Sequence, residues 1–204
     1  MFSIDGKLYE VISKLTDLVI LNILYIICCV PIVTIGAATT ALYGITKKMA
    51  NHSEGYIIRS YFKLFKENFK QSTIIWLILF VIGLIPVIDL YIINNMPKGM
   101  GPTVLRGGAI LAIVLVLMVF FYAMALLSTF ENTVKNTIKN AFIIGLGYFP
   151  WTVFILFASA TPFITPMILG NYWSVELLIM ILIWFSGVAY INSYVFNYIF
   201  KKYM

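Results

Sequence analysis

NILYIICCVPIVTIGAATTALYGITKK, residues Asn22 to Lys48, decides the fold of this chain. It begins as an apolar helix and then sets Pro31, Thr34 and Gly36 where an uninterrupted membrane helix would carry leucine. Proline removes a helix hydrogen bond and glycine frees the backbone, so the helix breaks here. Either one kinked helix crosses a bilayer once, or the chain goes out and turns back. The choice sets the direction of every later segment.

Composition makes the solvent lipid. Of 204 residues, 62% are hydrophobic and 11% are charged, against about 25% charged in a soluble domain. Four stretches besides the first are nearly free of charge: 72–94, 108–130, 141–161 and 176–200. Each reaches the ~20 residues needed to cross ~30 Å of hydrocarbon. Helices satisfy their own backbone groups in lipid, so the expected fold is all-α, a polytopic helical membrane protein forming one domain over 1–204. It has five full spans, or five plus a re-entrant half-helix. The first span is placed at 11–33, a small-residue return at 36–50 and a cytoplasmic amphipathic helix at 54–71. Cys28 and Cys29 are the only cysteines and are adjacent, which favours neither a disulfide nor a metal site. A cleaved signal peptide over the first apolar run would leave a long basic segment outside, against the charge pattern.

The fourteen basic residues orient the helices. Lys47, Lys48, Arg59, Lys63, Lys66 and Lys70 cluster between the first apolar run and Ser72, and such a cluster stays in the cytoplasm. Residues 95–107 and 162–175 then lie outside, and 131–140 and the C-terminus inside. An out-and-back path for 11–50 puts the N-terminus inside and divides the basic residues 12 to 2. A single crossing divides them 10 to 4. The first fits the rule better, so both termini are expected in the cytoplasm. The run Ala37-Ala38-Thr39-Thr40-Ala41 suits close packing against other helices.

In IIRSYFKLFKENFKQ, residues 57–71, Ile58, Phe62, Phe65 and Phe69 recur on one helical stripe, with Arg59, Lys63, Lys66 and Lys70 one position behind. This ramp fits a helix at the headgroup layer or a docking surface for a partner. KENFKQSTII (66–75) weakly repeats in KNTIKNAFII (135–144).

Chemistry is sparse. No phosphate-binding Gly-Lys-Ser/Thr loop occurs. His52 is the single histidine, in a polar loop with Glu54, too few partners for zinc or a nucleophilic triad. Asp17, Glu131 and Glu176 read as interfacial. Asp89, following Pro86, is the one acid placed for a buried functional role. Gly145, Gly147, Pro150, Pro162 and Pro166 predict an irregular fourth helix and an apolar outer loop from Pro162, where Tyr172 and Trp173 serve as interface anchors. The run ILAIVLVLMVFFYAMALL of the third span, residues 110–127, carries no polar side chain but Tyr122 and reads as lipid-facing. Asn192, Ser193 and Asn197 are expected to hydrogen-bond between helices. Neither an enzyme, a cofactor, a metal nor a nucleic-acid partner is indicated; the expected partner is the lipid bilayer.

PIVTIGAATTALY, the ramp ending FKENFKQSTIIW and NTIKNAFIIGLGYFPW together resemble the YesL-like family of bacterial multi-pass membrane proteins. Pro31, Thr34, Gly36, Ala41 and Leu42, with Phe65, Asn68, Phe69, Lys70 and Gln71, are the most specific positions. That family is typical of the cell membrane of Gram-positive bacteria and is often encoded beside carbohydrate ABC importers. The resemblance implies an accessory subunit acting on permease subunits. A stand-alone small-solute transporter or channel and a membrane sensor or scaffold are the alternatives.

Overall fold

The computed structural model describes residues 4–51, 53, 55–97, 99–169 and 173–203; His52, Glu54, Asn171 and Tyr172 lie outside them. The described chain is helical, with no strand among these residues. In order come α1 (Ile4–Cys29), α2 (Ile35–Ala50), α3 (Ile57–Asn94), α4 (Met100–Leu127), α5 (Val134–Gly147), α6 (Phe149–Leu169), α7 (Trp173–Ile179) and α8 (Phe185–Phe200). A π-helical segment, Met180–Trp184, joins the last two. Among the described residues five helices are long and apolar enough to cross a membrane: Tyr9–Cys29, Ile57–Asn94, Met100–Leu127, Phe149–Pro166 and Ser174–Phe200.

The opening stretch reverses direction. A continuous helix would hold Tyr25 and Thr39, fourteen residues apart, roughly 21 Å from each other; their hydroxyls lie 3.5 Å apart. α1 stops because Pro31 cannot donate within a helix and disfavours helical geometry at Val30. Three carbonyls at the break have side-chain donors within reach. Thr34 Oγ1 donates to Cys28 O at 2.5 Å and Pro31 O at 2.7 Å, and Trp76 Nε1 donates to Ile32 O at 2.8 Å. Without such partners the turn could not sit in an apolar setting. The reversal points the N-terminal end of α1 and the C-terminal end of α2 the same way.

α2 is the axis of the bundle, touching α1, α3, α4 and α8. Thirteen of its sixteen residues are buried. Small side chains let the neighbours close in. Gly36 lies against Ser72 and Trp76, and Gly44 against Leu64, so α2 and α3 run antiparallel. The threonines return their hydroxyls to their own helix: Thr39 to Ile35 O at 2.8 Å, Thr40 to Gly36 O at 3.0 Å and Thr46 to Leu42 O at 3.0 Å. A polar group satisfied this way is buried at little cost.

α3 corrects the boundary expected at Gln71. The ramp and the following span are one helix of 38 residues, about 57 Å long, against ~30 Å of bilayer hydrocarbon. Its first half packs beside α2. Its second half pairs with α4, through Gly83 and Val116 and a 3.0 Å bond from Arg106 to the Asn94 side chain.

Three further boundaries shift. The helix expected from Ala141 is two helices: α5 starts at Val134 and ends before Tyr148, and the apolar helix long enough to span begins at Phe149 in α6. Thr152 Oγ1 donates to Gly145 O at 2.6 Å across that break. The loop expected from Pro162 is helix as far as Leu169, with Pro162 and Pro166 inside it. The last span, expected from Glu176, begins at Ser174. The third span is also not wholly lipid-facing: from Met118 to Leu127 α4 is buried except at Phe121, and Tyr122 meets Thr152 Oγ1 at 2.9 Å.

Candidate functional site

The ramp residues keep their two stripes on the surface. Arg59, Lys63, Lys66 and Lys70 are exposed, as are Ile58, Phe62 and Phe69, while Phe65 is half-buried. Ile57 and Tyr61, on the opposite side, anchor the segment; the Tyr61 hydroxyl donates to Ala38 O at 3.4 Å. Among the described residues only Lys63 of the four cations has an acidic partner, Glu67 at 3.9 Å, and an exposed pair of this kind is worth little. The ramp is thus a cationic-aromatic face on a rigid rod. Gln71 Nε2 ties it to Asn132 O at the start of the second basic segment.

Pro31, Thr34 and Gly36 come together as the α1–α2 turn, against Trp76. Asp89 does not join any site. It is exposed, beside Pro86 and Ile93 on the rim of an apolar groove between α3 and α4. The buried positions Ser72, Leu79, Pro86 and Ile93 recur every seven residues, the period of a helix covered by one neighbour. Asp89 falls beside that stripe, where α4 alone packs and leaves the flank open. Glu176 departs from the interfacial expectation in the other direction: it is 6% exposed, and its Oε1 has no hydrogen-bond partner among the described residues.

Two polar features carry no obvious sequence signal. Lys47 is 6% exposed at the C-terminal end of α2, outside the five apolar helices. Its Nζ donates to Thr129 Oγ1 and lies 4.6 Å from the centre of the Phe200 ring. Burial pushes its ammonium down to about 7, because a low dielectric disfavours the charged form. Asn22, 0% exposed, holds the π-helical segment: Nδ2 donates to Met180 O at 2.9 Å and Ile181 O at 2.7 Å, and Oδ1 accepts from Ser186 N at 2.9 Å. A π turn misaligns its own ladder, and one amide supplies the missing partners.

The expected bonds from α8 form. Asn192 Nδ2 donates to Ser159 Oγ at 3.1 Å, Ser193 Oγ meets Thr46 Oγ1 at 2.7 Å, and Asn197 Nδ2 donates to Asn51 Oδ1 at 3.0 Å. They place α8 parallel to α2. Between α1, α2, α4, α6 and α8 these contacts frame a cavity of about 190 Å³, with aromatic walls from Tyr25, Tyr43, Phe120, Phe121, Phe163 and Phe185. Its polar lining comes from Thr39, Ser159 and the two tyrosine hydroxyls. Among the described residues no three His, Cys, Asp or Glu side chains converge as metal ligands would.

The architecture defines an all-helical protein with several helices fit to cross a membrane. Within it, a family model described as a protein of unknown function, DUF624, matches residues 18–90. The match takes in the membrane half of α1, all of α2 and α3 up to Leu90. No curated protein and no solved structure matches the chain.

Proposed function

We propose that this chain is an accessory membrane subunit of a carbohydrate ABC importer, assisting assembly or regulation of the permease. The observation that carries the reading is the cationic-aromatic face of α3. After ~30 Å of bilayer, about 27 Å of a 57 Å helix remains. By the positive-inside rule that remainder, with both termini, faces the cytosol. Arg59, Lys66 and Lys70, with Phe62 and Phe69 beside them, then offer a partner's cytoplasmic surface charge and aromatic anchors on a rigid support. The resemblance to the YesL-like family supplies the carbohydrate importer as the partner.

The test is affinity purification of the tagged protein from its native host in mild detergent. Permease subunits are expected to co-purify, and deletion is expected to lower oligosaccharide uptake. Arg59→Glu/Lys66→Glu/Lys70→Glu is expected to lose the permease while staying in the membrane. Absence of permease from the wild-type material, with uptake unchanged on deletion, refutes the proposal. Uptake by the purified protein alone in liposomes would make it a stand-alone transporter instead. The bundle cavity favours a second reading, a membrane sensor, for which deletion alters transcription of neighbouring genes while transport stays normal.

A further inference from the structure

We infer that the cavity between α1, α2, α4, α6 and α8 binds an uncharged, hydroxyl-bearing lipid-like molecule, its hydroxyl at Tyr43 and Ser159 and its alkyl body against Phe120, Phe121 and Phe163. This site is separate from the ramp and does not depend on the importer reading. Its size is suitable: at about 190 Å³ it exceeds the roughly 150 Å³ apolar cavity that takes up benzene in an engineered protein interior.

The hydrogen-bond inventory selects the head group. Thr39 already donates to Ile35 O and meets the Tyr25 hydroxyl. Ser159 Oγ accepts from Asn192 Nδ2 and lies within hydrogen-bond reach of the Tyr43 hydroxyl. Behind it Asn192 is 0% exposed, and its Oδ1 has no hydrogen-bond partner among the described residues. A buried carbonyl left unpaired is destabilising. The Tyr43 hydroxyl lies beside both residues. Two hydroxyls at the wall that can each rotate to donate or accept, with Asn192 behind them, are matched by a group that does both. No lysine, arginine or carboxylate lines the cavity, so a charged head would be buried unpaired at high cost. Water would satisfy the polar end but not six aromatic rings, since apolar cavities stay dry. Access is lateral: Phe163, 67% exposed on α6, is the most exposed lining side chain.

The probe is a long-chain alcohol carrying a photoactivatable diazirine near its hydroxyl end, added to vesicles holding the full-length protein. After irradiation, adducts are expected to concentrate at 120–121 and 159–163. Unlabelled alcohol is expected to compete about fivefold better than the matched alkane, the worth of roughly one hydrogen bond. Ser159→Ala keeps the packing and brings the two competitors close to parity. Ala189→Phe, which fills the cavity, abolishes the adducts; should it misfold, the wild-type and Ser159→Ala results decide alone. Adducts spread over every lipid-facing helix overturn the inference, as does equal competition by the alkane on the wild-type protein. An unchanged alcohol preference in Ser159→Ala overturns it too.

Discussion

Replacing Gly36 by alanine tests the contact on which the α2 axis rests. An added Cβ would lie 2.5 Å from Ser72 O, 2.7 Å from Trp76 Cβ and 3.0 Å from the Ser72 carbonyl carbon. These atoms belong to the frame of α3, so relief requires the two helices to part. Overpacking of this kind costs about 1–3 kcal/mol. Parting them also stretches the Trp76–Ile32 bond that holds the turn, worth about 1 kcal/mol. Alanine returns less than ~1 kcal/mol of helix propensity at the second residue of a helix. The net loss is about 2 kcal/mol, or a fall of roughly 4–8 °C in Tm for a chain of this size. Cys28 and Cys29 sit beside the turn and are the only thiols, so a thiol-reactive fluorogenic dye reports the melt in detergent. Two other glycines calibrate it. Gly108→Ala meets nothing within 4 Å and is expected to leave the melt unchanged; Gly145→Ala comes closest to the side chain of Met118, which can move. A Gly36→Ala protein that melts at or above the wild-type temperature refutes the close-packed axis.

Asn22→Ala strips both donors from the π-helical carbonyls and the acceptor from Ser186 N; the expected loss is about 2 kcal/mol, read by the same melt, with Asn22→Asp recovering less than half because it cannot donate. Lys47 gives a pH signature. Burial holds its folded-state value at about 7, well below the usual ~10.4, so between these two values the unfolded chain binds more protons and stability rises with pH. The rise is up to about 1.4 kcal/mol per pH unit, so wild type should gain about 1–2 kcal/mol over Lys47→Met between pH 7.5 and pH 9, measured as the difference between their melts; equal slopes would contradict a buried, neutralised lysine.

What the sequence reveals follows from which physical quantities it encodes. Pro31, Thr34 and Gly36 mark the reversal because each acts on its own backbone. The alanines and threonines of 37–41 announce burial because small side chains in an apolar run have one main use. The amides of α8 could be read as cross-links because a polar group in lipid must find a partner. Asp89 failed for a complementary reason. Hydropathy gives a residue's height in a span, but whether its flank is covered depends on how many helices pack at that height. Near Ser72 both α2 and α4 flank α3, and Ser72, Ile75 and Leu79 are all buried; higher up α4 is alone, and only Pro86 and Ile93 are. α4 failed similarly: an evenly apolar helix has no periodicity to say which face, or which half, is enclosed. The join at Gln71 was lost because the change from basic to apolar composition marks a change of solvent, not of backbone, and a helix crosses from headgroups to hydrocarbon without interruption. Lys47 read as one more cytoplasmic cation because α8 returns to cover it only 150 residues later, a distance over which local pattern carries no information.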